Sequence, residues 1–193
     1  MPALLAAFRT RHPGVRVRLH EGTGSELVDM VRSDEIDVAI VSTDPDDLPG
    51  GIASTIIDVD HLVLAGPPGH RLEHYDVVPI RELDGSDLIS FRPGAGLRHA
   101  ADVVLADAGV TANIIIESNE MPVLVGLVSH GLGLAILPEA FIRHARDQVW
   151  GRPLDPAITP PLALIWRERR RRSPAAEAFL HHVSDGYVGL RRR

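Results

Sequence analysis

Residues 112–138 read A-N-I-I-I-E-S-N-E-M-P-V-L-V-G-L-V-S-H-G-L-G-L-A-I-L-P, and this stretch decides the fold class of the chain. The segment Ala112 to Glu117 is rich in isoleucine, which favours a β-strand. An apolar helical stretch follows and ends at Gly131, and a second apolar strand ends at Pro138. The order strand, helix, strand predicts two parallel strands that are joined by a helical crossover.

The sequence upstream of this stretch extends the same alternation. Leu88 to Phe91 predicts a strand, and Leu97 to Ala108 has the spacing of an amphipathic helix. An earlier block repeats the pattern, but it begins with a helix. Its predicted elements are a helix at Pro2 to Phe8, a strand at Val15 to Leu19, a helix around Leu27 to Val31 and a strand at Asp37 to Ser42. The two blocks therefore look like one unit used twice, with the first strand missing from the earlier copy.

Two further apolar runs, Ile56 to Ala65 and Leu162 to Trp166, lie outside these blocks and are predicted to be strands that cross between lobes. We therefore expect an α/β fold of two Rossmann-like lobes with mostly parallel sheets and two crossover strands. The expected boundaries are residues 1–65 plus 168–193 for lobe I and residues 66–167 for lobe II. A last helix is expected to begin at Ser173-Pro174.

The composition restricts the classes of function. Hydrophobic residues make up 45% of the 193 residues, and cysteine is absent, so we expect a packed core without disulfides or thiolate metal sites. The net charge of -6 argues against DNA binding by this domain itself, because phosphate contacts need a basic face. The arginine clusters at residues 169–172 and 191–193 are interpreted as solvated segments. No apolar run approaches the roughly 20 residues of a membrane span. The prediction is a cytoplasmic domain with no metal, no cofactor and no membrane partner.

Several segments, in this order, carry a family resemblance. They are Pro2 to Phe8 with His12-Pro13, Gly22 to Val31 with Asp37 to Ile40, Leu62 to Pro67 with Gly69 to Leu72, and Ile116 to Pro138. Together they resemble the effector-binding domain of LysR-type transcription regulators, which is built like type II periplasmic binding proteins.

The resemblance implies a ligand-sensing domain that binds a small polar or carboxylate metabolite in a cleft between the lobes. It also implies a homodimer or higher oligomer, and DNA contact only through a winged helix-turn-helix part that these residues do not include. Two alternatives remain open: a solute-binding protein of a transporter, and a stand-alone modulator that pairs with full-length regulators.

Three turns that precede helices are the candidate ligand contacts, because helix N-termini present free N–H groups that favour anions. By resemblance, all three turns face the cleft, and Thr23 matches a hydroxyl position that commonly contacts the effector. The candidate residues are Thr23, Gly24, Ser25, Phe91, Arg92, Gly94, Gly96, Arg98, Ser118, Asn119 and Met121. Among them, the polar side chains Ser25, Arg92, Arg98 and Asn119 suit a carboxylate, and the apolar Phe91 and Met121 suit pocket walls.

A dinucleotide-binding enzyme is a weaker alternative. Gly94-Ala95-Gly96 half-matches the glycine-rich turn of such enzymes, and Glu117 follows at about the spacing of a ribose-binding acid. His99 stands where the third glycine is expected. The sequence shows no nucleophile elbow and no zinc-protease motif, so we expect a protein that is not an enzyme.

Overall fold

The computed structural model describes residues 2–168 and 172–190, without the side chains of residues 185–190. The chain forms two compact units, one from Met1–Asp58 with Pro161–Arg193 and the other from Val59–Pro160. Both units contain helices and strands, and the chain passes between them twice. The predicted α/β fold of two lobes is therefore present.

The boundaries between the units differ from the expected ones. The predicted strand Ile56 to Ala65 is two strands, β2 (Ile52–Val59) and β3 (Leu62–Gly66). β3 pairs with two strands of the second unit, whereas the late strand β9 (Pro161–Arg167) pairs with a strand of the first unit. The strand pairing thus assigns residues 62–66 to the second unit and residues 161–167 to the first.

The first unit is built on a three-stranded sheet in the order β1-β9-β2, in which β1 and β9 run antiparallel. Its remaining elements are α1 (Pro2–Arg11), α2 (Gly24–Arg32), β1 (Val38–Ser42) and α6 (Pro174–Leu190). The central strand β9 is buried on both faces: Ala163 and Ile165 pack in a cluster with Val31 of α2, and Leu164 packs in a cluster with Leu4 of α1.

The predicted strand at Val15 to Leu19 is wrong. Residues 15–23 form no regular secondary structure, and β1 pairs with β9 alone among the described strands. Val17 and Leu19 are 40% and 67% exposed. Alternating apolar residues form a strand only where a neighbouring strand satisfies their backbone groups, and no described strand does so here.

The second unit contains the alternating block that the sequence predicted. β5 (Asp87–Ser90), α3 (Gly96–Asp107), β6 (Asn113–Glu117), α4 (Met121–Ser129) and β7 (Ala135–Pro138) follow in that order. β5 and β6 are parallel, and Leu88 of β5 also bridges Leu134 in parallel. This block is confirmed.

Strands outside the alternating block pair differently from the prediction of mostly parallel sheets. The four-stranded sheet has the order β4-β8-β3-β7, where β4 is Val78–Pro79 and β8 is Trp150–Ile158. β4 and β8 are parallel, but β3 is antiparallel to both β7 and β8. No helical crossover constrains β3 or β9 to be parallel to a neighbour, so they form the antiparallel ladders.

Sequence reasoning missed strand β8 altogether. Its residues Gly151, Pro153 and Pro156 look like strand breakers. The strand is nevertheless held between β4 and β3, and the indole Nε1 of Trp150 donates a hydrogen bond to the carbonyl of Pro67 at 2.7 Å. The remaining short elements are helix α5 (Glu139–Ile142) and 3-10 turns at Pro45–Asp47, Arg71–His74 and Ile80–Leu83.

The last helix begins as predicted, since the Ser173 hydroxyl accepts a hydrogen bond from the Ala176 backbone N–H at 3.1 Å. Over residues 2–168 and 172–190, no helix is both long and apolar enough to cross a membrane.

Helix α2 begins with a capping box that fixes the conformation of Thr23. The Thr23 hydroxyl accepts from the Glu26 backbone N–H at 3.3 Å, and the Glu26 carboxylate accepts from the Thr23 backbone N–H at 2.7 Å. Hydrogen bonding of the Glu26 carboxylate to Thr23, first to its backbone N–H and then to its side chain, lowers the pKa of Glu26. Thr23 is thus part of the helix start as well as a candidate ligand contact.

Replacing Phe8 with alanine is expected to lower the free energy of unfolding by about 3–5 kcal/mol, because the lost ring leaves a cavity beside α6. Phe8 is 1% exposed, and its ring centroid lies 5.1 Å from that of Phe179. Leu19→Ala is the control, since this exposed side chain should contribute about 0.5 kcal/mol or less. Urea unfolding followed by circular dichroism measures both variants, and equal losses would contradict this packing.

Replacing Thr23 with valine is expected to lower the free energy of unfolding by about 1 kcal/mol, because valine cannot accept the Glu26 N–H. Thr23→Ser keeps the hydroxyl and should match the parent chain. The same urea experiment compares them. A valine variant as stable as the parent chain would contradict this cap, because valine keeps the methyl group of Thr23 and lacks only its hydroxyl.

Candidate ligand-binding site

The candidate residues of the second unit lie where β5 and β6 end. Because these strands are parallel, both end at the same edge, and each continues through a short loop into a helix. The Ser118 backbone N–H donates to the Ser90 carbonyl at 3.0 Å, so the two loops begin side by side. Such an edge is where open α/β sheets bind ligands.

The two loops are also tied together by a side chain. The Asn119 Oδ1 accepts a hydrogen bond from the Arg92 backbone N–H at 3.1 Å. In the second loop, the Ser118 hydroxyl accepts from the Glu120 backbone N–H at 3.1 Å. Ser118 therefore stabilises its own turn, and the Nδ2 donors of Asn119 have no partner among the described residues.

Arg98, in the first turn of α3, reaches three groups on different elements. Its Nη1 donates to the Phe91 carbonyl at 2.9 Å and to the Glu117 carboxylate at 2.7 Å, and its Nε donates to the Asp102 carboxylate at 2.7 Å. The Arg98 side chain is 15% exposed, against 37% for that of Glu117. Burial on its own would lower the pKa of Arg98, but the hydrogen bonds that it donates to Glu117 and Asp102, with the attraction of their charges, outweigh burial and raise the pKa.

Helices α3 and α4 begin without a side-chain cap. Their N-cap residues are Ala95 and Glu120, and neither side chain accepts a hydrogen bond from the first helical turn. Gly94 has a φ of 88°, a conformation that glycine adopts without strain, and Gly96 is the first residue of α3. The free N–H groups of both first turns remain available to an acceptor outside the helices.

The remaining candidate residues of this edge differ in burial: some pack in the core and one lies on the surface. Phe91 is 5% exposed and packs in the core cluster of Leu124 and Val128, with Met121 partly buried against the same cluster. Arg92 is exposed, and its guanidinium has no partner among the residues that the structure describes. Phe91 is therefore a core residue, and Arg92 is an exposed cation, unpaired within the described residues, on the loop that leads into α3.

The candidates of the first unit form a separate group at the start of α2. The hydroxyls of Thr23 and Ser25 are 3.1 Å apart, and Gly24 is the first residue of the helix. Ser25 does not cap α2, since Thr23 does. The Ser25 hydroxyl contacts only that of Thr23 within the described part of the chain.

Sequence reasoning missed the roles of Asp102 and Glu117 as partners of Arg98. Asp102 stands four residues after Arg98, which is the spacing of an ion pair on one helix face. Glu117 was considered as a ribose-binding acid, but its carboxylate pairs with Arg98. The capping box was also readable, because Thr23 and Glu26 are spaced as that motif requires.

The first unit also has an open cavity of about 630 Å³, which none of the candidate residues lines. Its walls are Asp29, Met30, Arg32, Ser33, Glu35, Gly50, Gly51 and Arg167. Across residues 2–168 and 172–190, no group of three or more histidine, aspartate or glutamate side chains is arranged to hold a metal ion.

Comparison with known proteins identifies the family. The sequence model of the family described as LysR substrate binding domain matches residues 1–187 of this chain. An uncharacterized HTH-type transcriptional regulator of Bacillus subtilis (strain 168), YwbI, is 31% identical over 189 residues, which are 95% of this chain and 61% of that protein. The transcriptional dual regulator GltC of the same organism is 25% identical over 98% of this chain and 64% of its own length. The chain thus spans about three fifths of the length of these relatives.

Solved structures show the same fold. The effector binding domain of QuiR in complex with shikimate superposes with a TM-score of 0.87 at 22% identity, over 97% of this chain and 90% of that one. The regulatory domain of CcmR from Synechocystis PCC6803, in complex with 2-PG, gives 0.88 at 19% identity over 98% and 91% of the two chains. At these identities the likeness concerns the fold alone. The family match over nearly the whole sequence confirms the predicted resemblance and the fold class: this chain belongs to the LysR substrate-binding domain family.

Proposed function

We propose that this domain binds a small polar or carboxylate metabolite and passes the binding signal to a transcription regulator. The observation that carries the proposal is the edge formed by β5 and β6. Two helix N-termini without side-chain caps follow loops that are hydrogen-bonded to each other, and the first loop carries the exposed Arg92, whose guanidinium has no partner within the described residues. In a LysR substrate-binding domain, such an edge has the chemistry to receive a ligand.

The charges favour a ligand that carries a carboxylate. Free N–H groups at a helix start attract an anion, and a guanidinium can hold a carboxylate with two parallel hydrogen bonds. Arg98 adds no unpaired positive charge here, because Glu117 and Asp102 pair with it. Glu120 lies at the start of α4 and disfavours a ligand with high negative charge. A single carboxylate with polar substituents fits these constraints best.

The complexes of QuiR with shikimate and of CcmR with 2-PG support a small polar ligand for this fold. Ligand binding favours the conformation of the domain with which it makes the better contacts, and this shifts the population of conformations. We assign no catalytic role to the edge. The hydroxyl of its candidate residue Ser118 accepts a backbone hydrogen bond and has no histidine partner within the described residues.

For the whole protein, we propose a cytoplasmic regulator of transcription that contains this domain. The matched relatives are named as HTH-type or dual transcriptional regulators, so DNA contact would come from a helix-turn-helix part outside residues 1–193. A homodimer or higher oligomer would present two such parts to the DNA. The family match favours this role over a transporter's solute-binding protein.

Calorimetry at pH 7 with a panel of small carboxylates, including shikimate, and their neutral amide counterparts tests the proposal. We expect at least one carboxylate to bind and its amide to bind about tenfold more weakly or not at all. Arg92→Met should weaken carboxylate binding by about tenfold, because the free cation of the edge is lost. Arg146→Met removes an exposed arginine elsewhere in the second unit and should leave binding unchanged.

Two results would contradict the proposal. If no compound in the panel gives heat with the folded chain, the domain does not sense a metabolite of this class. If Arg92→Met and Arg146→Met weaken binding equally, the effect is one of general charge and not of the edge.

A further inference from the structure

Arg98 was expected to contact the ligand, but its hydrogen bonds lead into the protein. Nη1 and Nε together reach the end of β5, the end of β6 and the second turn of α3 through Phe91, Glu117 and Asp102. The side chain is largely buried, with 15% of its surface exposed. Three of its five N–H donors are used within the second unit.

We propose that Arg98 is a positioning residue, which fixes the two loops of the edge in one arrangement and leaves Arg92 to read the charge of the ligand. This inference rests on the proposed function and deepens it, because it says which of two neighbouring arginines a ligand carboxylate meets. The bridge that defines it is the pair of Nη1 hydrogen bonds, 2.9 Å to Phe91 and 2.7 Å to Glu117.

The hydrogen bonds around this bridge show how Arg98 acts on the loops. The Phe91 carbonyl precedes the Arg92 N–H, which donates to Asn119, and Glu117 precedes the Ser118 N–H, which donates to Ser90. Arg98 therefore binds the peptide unit that makes the first inter-loop hydrogen bond, and it binds the side chain of the residue that precedes the donor of the second. Without the Arg98 side chain, the Phe91 carbonyl and the Glu117 carboxylate lose their shared donor. The two inter-loop hydrogen bonds then open more often, and the loops separate.

The charge balance supports the division of roles. Two carboxylates surround the Arg98 guanidinium, so the cluster of Arg98, Asp102 and Glu117 has a net charge of one negative unit. A ligand carboxylate that approached this cluster would meet repulsion, whereas Arg92 has no carboxylate partner in the part of the chain that the structure describes. A planar guanidinium can span three acceptors in different directions, and a lysine ammonium lacks that geometry.

Amide hydrogen exchange of the ligand-free protein, followed residue by residue with NMR, tests the inference. In Arg98→Met, the amides of Arg92 and Ser118 should exchange about tenfold faster or more, while those of β3 change by less than about twofold. Arg98→Lys should not restore the slow exchange, because charge without the forked geometry cannot bridge Phe91 and Glu117. Arg71→Met is the matched control, since Arg71 pairs with Glu82 at the same 2.7 Å, away from the edge.

Unchanged exchange at Arg92 and Ser118 in Arg98→Met would overturn the inference, and so would full rescue by lysine. An equal acceleration over the whole second unit would show a general stabilising role instead, which also overturns it. If Arg98→Met does not fold, Glu117→Gln takes its place; it should accelerate exchange at Ser118 several-fold, and no acceleration there rejects the bridge. Because no ligand is present, failure here is separate from failure of the proposed function, which calorimetry alone decides.

Discussion

The parallel pairing of β5 with β6 is the constraint on which the rest of the site depends. Parallel strands end at the same edge of a sheet, so the loops that follow them must begin together, and the helices α3 and α4 must start beside each other. The hydrogen bond from Ser118 to Ser90 continues the ladder past the strands and into the loops. An antiparallel pair would place the two helix starts at opposite ends, and no shared edge with two free helix N-termini would exist.

The two arginines of this edge have different electrostatic surroundings. Two arginines lie within six residues of each other, yet they have opposite surroundings: Arg98 is largely buried between two carboxylates, and Arg92 is exposed without a carboxylate partner within the described chain. A buried guanidinium needs paired acceptors to offset its desolvation, and the price of that pairing is that its charge no longer acts on a ligand. Arg98 therefore sets the geometry of the loops, whereas Arg92 interacts with the charge of the ligand.

The sequence predicted those elements that depend on interactions between residues close together in the chain. The alternation of strands and helices from Leu88 to Pro138 and the cap at Ser173 depend on neighbouring residues, and the structure has them. The strand expected at Val15 to Leu19 and the one overlooked at Trp150–Ile158 depend on partner strands far away in sequence. The ion pair of Arg98 with Asp102 was visible as a four-residue spacing, but its pair with Glu117 exists only because β6 lies beside β5. Sequence therefore indicated the edge and its residues, but not which arginine is neutralised.

Binding of the ligand at the edge formed by the starts of α3 and α4 can be located by an NMR titration of the ¹⁵N-labelled chain with the tightest-binding carboxylate of the panel. We expect saturable shifts of the backbone amides in residues 91–98 and 118–123, apart from Pro93 and Pro122, which have no N–H, together with the side-chain signal of Arg92. Shifts confined to the first-unit cavity, at residues such as Met30, Ser33 and Gly51, would contradict it.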